Sequence, residues 1–288
     1  MGGAGQYAVD HVVVFVADLD AAADDYRALG FAVVPGGVHA GGVTRNALVP
    51  FADGTYLELL APVDPRRARL IRLLGRTPLW PWAVRGSVLL RRRIRRVRDG
   101  EGLVDFALAC SSLDSVLSVS GGTVRWQPER GGRVRPDGVR LAWAVAYPSE
   151  PALPFVVEDQ TPRSLRVPSA EAHPNGATGI RMVTVATAAF DRVVAAYQDL
   201  LGRAPFDAVA PVPDTLAAEF RLGFARIRLI APRGRAHPLR DELARRGEGL
   251  TGVVCESTGT RAVNLDIRRA HGASLTLAPG DGPWTSPS

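Results

Sequence analysis

The sequence predicts an α+β protein assembled from repeated β-α-β-β-β modules whose strands curl into cupped mixed sheets. Three observations carry this expectation. Apolar runs of strand length share each module with one amphipathic helix. The same element order returns along the 288 residues. Each return is punctuated alike, with Asp near the helix start and Gly at its end.

The first module opens with a strand over 8–16, AVDHVVVFV, followed by a helix over 19–29 that Asp18 caps and Gly30 ends. Strands over 31–38, 45–51 and 55–60 complete it, with Ala52-Asp53-Gly54 as the last turn. A second module starts at Gly102. Its strand covers 103–109, and Ser112-Leu113-Asp114 repeats the spacing of Asp18-Leu19-Asp20. A helix ending at Gly121-Gly122 and strands over 123–127, 139–146 and 154–158 follow. A third module has a strand over 181–186, a helix over 190–201 stopped by Gly202, and strands over 216–222 and 226–230. There Asp191 and Tyr197 stand for Asp20 and Tyr26, and Ala231-Pro232 stands for Ala61-Pro62. A shorter fourth copy runs from Gly249 to Leu277.

Four modules predict two domains, 1–160 and 175–280. Residues 63–100 form a longer, partly helical connection containing Trp80-Pro81-Trp82, a candidate lid or contact between chains. Residues 159–176 read as a linker, and the tail after Gly280 as unstructured.

Composition narrows the class. With 46% hydrophobic residues the chain can bury a sizeable core, yet no apolar run reaches the ~20 residues that span a bilayer. The first residues, MGGAGQYAVDH, lack the charged and apolar regions of a signal peptide, so a cytoplasmic protein is expected. Cys110 and Cys255 lie in apolar runs without CxxC spacing and read as buried thiols. The net charge is +6, and all 35 basic residues are arginine. The densest run, Arg91–Arg98, has no interleaved aromatics and reads as a solvated helix face or an interdomain connection, not as a nucleic-acid site. A positive surface of this kind also suits an acidic small substrate. No P-loop, GxGxxG or GxSxG pattern is present.

Side chains alternate along a strand, so His11, Val13 and Phe15 share one face of theirs, and Tyr56, Glu58 and Leu60 likewise share a face, with His11 and Glu58 read on the concave side. An ionisable His and Glu inside a curled sheet need either a cation or a hydrogen-bonded partner. His39, in GGVHAGG, is a candidate ligand, general base or substrate contact, and equally a loop histidine. Asn46 can hydrogen-bond a substrate oxygen or turn the chain. Trp143, with Trp126, Trp80 and Trp82, is a candidate for the wall of an apolar pocket or for the core.

The stretch DHVVVFVADLDAAADDYRALGF, GGVHAGG and RNALVPFADGTYLELLAP resembles the glyoxalase-like branch of the vicinal oxygen chelate superfamily. The likeness is strongest over residues 8–62 and runs more weakly to about 278. It implies paired modules around a divalent metal (Zn, Mn, Fe, Co or Ni) bound by residues on the first and last strands of each module. Carried over, His11 and Glu58 match the ligands of the first module. In the second, Asp105 stands opposite His11 and, with Pro162 set on Pro62, Glu158 opposite Glu58. The implied metal site is His11, Glu58 and Glu158, with His39 and Glu58 moving the proton and Asn46 and Trp143 contacting substrate. The third module has Met182 and Arg228 at the ligand positions, so the second domain is expected to be structural, or Arg228 to bind an anion. His173-Pro174-Asn175-Gly176 reads as a turn. The function implied is a metal-dependent lyase, isomerase or dioxygenase that chelates an oxygen-rich substrate. The alternative is a protein of the same fold that only binds a small molecule. Partners are a small molecule and a possible second copy of the chain, not nucleic acid or membrane.

Overall fold

The computed structural model describes residues 7–85, 87–119, 124–207, 213–234 and 236–280. The first module consists of β1 (Tyr7–Phe15), α1 (Leu19–Ala28), β2 (Val34–His39), β3 (Thr44–Pro50) and β4 (Tyr56–Pro62). Asp18 accepts hydrogen bonds from the Asp20 and Ala21 amides, which fixes the start of α1. Four short helices follow, α2 (Pro65–Leu74), α3 (Trp80–Ala83), α4 (Val88–Arg92) and α5 (Ile94–Asp99). The second module is β5 (Gly102–Cys110), α6 (Leu113–Val119), β6 (Trp126–Val134), β7 (Arg140–Pro148) and β8 (Phe155–Asp159). The expected helix end at Gly121-Gly122 lies outside the described residues, as does the tail after Gly280.

These eight strands go beyond a cup. They close into a barrel of order β1-β4-β3-β2-β6-β7-β8-β5. The modules meet along two seams: β1 runs antiparallel to β5, and β2 antiparallel to β6. Alternation divides the side chains as the sequence predicts. Val12, Val14, Leu57 and Leu59 point outward and are fully buried against α1 and the rest of the chain. Val13, Phe15 and Leu60 point inward.

After α7 (Arg163–Arg166), the third module continues with β9 (Ala177–Ala186), α8 (Phe190–Leu201), β10 (Phe206–Asp207), β11 (Thr215–Leu222) and β12 (Ala225–Pro232). Beyond α9 (Pro238–Arg246) lie β13 (Gly249–Ser257), β14 (Val263–Asn264) and β15 (Leu275–Pro279). Together they form a seven-stranded sheet of order β10-β11-β12-β9-β13-β15-β14. The fourth copy has no helix between β13 and β15; bends at 258–261 and turns at 267–272 stand in its place. One apolar core runs from the outer face of the barrel to this sheet, joining Val12 and Phe106 to Val183 and Phe220. No helix of the described residues is long and apolar enough to cross a membrane.

The connection over 63–100 plugs one mouth of the barrel. Ile71, Val84, Leu90 and Val97 pack on Val13, Phe15, Val104 and Phe155. Trp80 flanks this cluster, whereas Trp82 is exposed and Trp126 packs on the outer core. The plug also corrects the reading of the arginine run as a solvated face, because Arg93 and Arg96 are buried. Arg93 forms a two-bond pair with Asp105 at 2.7 and 2.6 Å, and Arg92 Nε reaches the same carboxylate at 3.3 Å. Arg96 crosses to the second sheet and donates to the carbonyls of Gly247 and Leu250, so the connecting role holds for this residue. Removing one partner of a buried pair strands the other charge. Arg93→Ala should therefore lower stability by about 3 kcal/mol, and exposed Arg91→Ala by less than ~0.5 kcal/mol, as read from urea unfolding. Equal losses would contradict the buried pair.

Candidate functional site

The open part of the barrel interior is a cavity of about 160 Å³. Parallel pairing of β1 and β4 sets His11 against Tyr56 and Val13 against Glu58. His11 and Glu58 are thus diagonal neighbours on the inner face. His11 Nδ1 lies 2.6 Å from Asp10 Oδ2, and its Nε2 lies 3.5 Å from Glu58 Oε2. The ring stacks on Tyr56 at 4.6 Å and meets the edge of Phe155 at 5.4 Å. Asp10 is fully buried and held by Arg163 and Arg166 of α7, and Arg166 also donates to the Tyr56 hydroxyl at 2.6 Å. The segment read as a linker therefore supplies the guanidiniums that fix Asp10.

Glu58 stands at the centre. Asn46, on β3, donates to Glu58 Oε1 at 2.5 Å, and His39 Nε2 lies 3.4 Å from the same oxygen. The His39 Nδ1 is 2.9 Å from Thr44 Oγ1, and its ring meets Trp143 edge to face. Across the β2–β6 seam His39 pairs directly with Arg133. Arg133, which no sequence motif marked, donates to Asn46 Oδ1 at 3.2 Å and to the Arg166 carbonyl at 2.6 Å. Its buried Nε has no hydrogen-bond partner. Two glycines make the arrangement possible. A Cβ on Gly36 would stand 2.0 Å from Asn46 Oδ1, and one on Gly131 would stand 2.0 Å from Trp143 Nε1.

Burial alone would raise the Glu58 pKa, but the hydrogen bonds and charges of His11 and His39 hold it well below its ordinary value of 4.5. Burial would lower that of His11, but Asp10 and Glu58 outweigh it and raise it above 6.5. Asp10 likewise ionises readily, since Arg166 and His11 overcome its burial.

The structure brings His11, His39, Asn46, Glu58 and Trp143 around one cavity. It does not bring Glu158 there. Residues Val13 and Ala107 stand two beyond His11 and Asp105; Val13 pairs with Glu58 and Ala107 with Phe155. The ladder therefore puts Phe155 in the place of Glu58. Matching Pro162 to Pro62 slips the register by three, and an odd slip turns a side chain to the other face. Glu158 points outward and accepts from the Leu113 amide at 2.7 Å, at the start of α6. Asp105 faces inward but at the plugged end, neutralised by Arg92 and Arg93.

A metal centre of His11, Glu58 and Glu158 is thereby corrected. The donors that remain at the cavity are His11, His39 and Glu58. Glu58 lies between the two imidazoles and presents a different oxygen to each. Among the described residues no three His, Cys, Asp or Glu side chains are arranged to hold a metal ion. In the third module Met182 is core and Arg228 pairs with Glu219 at 2.6 Å. His173 has a turn role and more, bridging the Ala32 amide and the Pro50 carbonyl.

The profile of the glyoxalase-like domain matches residues 9–201. The chain belongs to this family. A hypothetical protein from Staphylococcus aureus shares the fold at a TM-score of 0.68 and 14% identity, covering 95% of this chain and 99% of its own. A mutant of 4-hydroxymandelate synthase from Streptomyces coelicolor aligns at 0.59 and 12% identity, covering 98% of this chain and 95% of its own. No curated protein matches the sequence. Both likenesses show a shared fold, and the family match makes it the vicinal oxygen chelate fold.

The two shifts give stability a definite pH profile. The lowered Glu58 contributes stability that is full above 4.5 and lost as pH falls below that value through its folded pKa. The raised His11 contributes stability that is full below 6.5 and lost as pH rises above that value through its folded pKa. Thermal unfolding should be most resistant between these limits. Glu58→Gln should flatten both flanks, and an unchanged profile in that variant would contradict the pairing.

Proposed function

We propose that the barrel binds a small oxygen-rich organic anion and that His39 exchanges a proton with it, in a reaction of the lyase or isomerase type. The observation that carries this reading is an ionised carboxylate, Glu58, buried between two imidazoles beside the free Nε of Arg133. Arg133 supplies a cation for a substrate carboxylate or enolate oxygen, and a buried guanidinium gains strongly from such a partner. Asn46 sits between Arg133 and Glu58 and keeps the two from collapsing onto each other. His11 is clamped by Asp10, which makes it a positioning residue for Glu58. His39 keeps the freer ring. It lines the cavity with its Nε2 3.4 Å from Glu58 Oε1, and Trp143 with Phe155 forms an apolar wall around them.

Replacement of the second module's ligand positions by ion pairs and by Phe155 supports the second reading, a protein that binds without catalysis. One experiment separates the two. Deuterium exchange at the carbon next to the carbonyl is followed by NMR for a panel of small 2-oxo and 2-hydroxy acids, with and without added Zn, Mn, Fe, Co or Ni. Exchange by the metal-free protein that falls about 100-fold or more in His39→Ala supports proton transfer. Saturable binding weakened by Arg133→Met, without exchange, supports the binding protein. Exchange that appears only with added metal would overturn the metal-free reading.

A further inference from the structure

A second cavity, of about 660 Å³, lies where the barrel plug meets the second sheet. It is bounded by the α4–α5 junction, Pro151, the start of the β9–α8 connection, and α9 with the turn after it. Seven arginines and a single carboxylate, Glu248, line it. The groups that face it are not mutually neutralised. Arg92 and Arg93 share Asp105, Arg192 shares Glu150 and Glu248, and Arg246 reaches Asp99 only at 3.8 Å, alongside Arg245. Among the described residues, Arg95, Arg96 and Arg240 form no ion pair; Arg96 and Arg240 donate only to backbone carbonyls.

Arg96 is the decisive residue. It is 1% exposed, and its Nε has no hydrogen-bond partner, nor does the Nε of Arg246 beside it. A buried guanidinium without a counter-charge is expensive. The fold accepts this for Arg96 at the wall of a cavity, and the half-buried Arg246 beside it has Asp99 only at 3.8 Å. Gly249 keeps side-chain atoms clear of Arg96 and Arg93: a Cβ there would stand 3.2 Å from Arg96 Nε and 3.3 Å from Arg93.

We propose that this cavity is a binding site for a small molecule bearing several phosphate groups, separate from the barrel site. Its oxygens would meet Arg95, Arg96, Arg240 and Arg246, and the apolar Ile94, Pro151, Leu243 and Ala244 would receive the rest of the molecule. Phosphate oxygens match the fork of guanidinium donors, and several close guanidiniums favour multiple charge over a single carboxylate. The volume of this half-open cavity suits a small molecule and is far too small for a duplex.

The test uses the full chain with inorganic tripolyphosphate as probe, in isothermal titration and thermal unfolding at 0.15 M salt. A ligand of the folded state raises Tm with its concentration. Saturable binding with a rising Tm, weakened tenfold or more in the charge-reversed pair Arg95→Glu and Arg240→Glu, supports the site. Both positions are chosen because neither belongs to a buried ion pair, and Tm without probe checks that the variant folds. His11→Ala should leave the affinity unchanged. No saturable binding at millimolar probe, or equal affinity in the charge-reversed variant, overturns the proposal. So does an RNA oligonucleotide whose affinity grows with length and exceeds that of the probe, which would make the surface a nucleic-acid site.

Discussion

Everything at the barrel site depends on how Glu58 stays ionised inside a closed barrel. An isolated carboxylate there would take up a proton, because desolvation opposes the charge. Two imidazoles and the Asn46 amide prevent this. The arrangement then propagates outward. His11 needs a partner for its second nitrogen, which Asp10 provides; Asp10 needs cations, which Arg163 and Arg166 provide; Arg166 is placed by a helix one turn long beyond the last barrel strand. The chain of charges links the first strand of the barrel to the segment that leaves it.

The same constraint acts at the other mouth of the barrel with a different outcome. Asp105 faces inward on the strand that stands to the second module as β1 does to the first. Its partners are Arg92 and Arg93 from the helical plug, and no imidazole is near. One module thus keeps a reactive arrangement, and the other uses its equivalent carboxylate to fasten the plug. The family's fold tolerates this because the barrel is held by apolar packing on its outer face, which is continuous with the second sheet. Charge inside the barrel can be rearranged without unmaking the strands.

Much of this was legible in the sequence. The repeat gave the element order, and strand alternation placed His11 and Glu58 on one inner face, because that argument needs only local register. Asn46, His39 and Trp143 also line the cavity. Glu158 was misplaced because proline matching cannot resolve a slip of three residues, whereas the β5–β8 ladder can. Arg133 and Arg166 were passed over because each is one arginine among many. Their roles arise from pairing across the β2–β6 seam and from the short helix at the barrel mouth. A run of eight residues rich in arginine looked solvated for the same reason: composition does not say that carbonyls and Asp105 await those side chains inside.

The most direct measurement is the protonation of His11 in metal-free protein, read from the two ring nitrogens by ¹⁵N NMR across pH 5 to 9 and assigned with His11→Ala. An imidazolium held between Asp10 and Glu58 keeps both nitrogens protonated to a higher pH than an ordinary histidine and loses its proton only as pH rises above 6.5. A ring that loses its proton below the ordinary 6.5, with Nε2 free and shifting on addition of zinc, would contradict the account and restore a metal to the centre of the site.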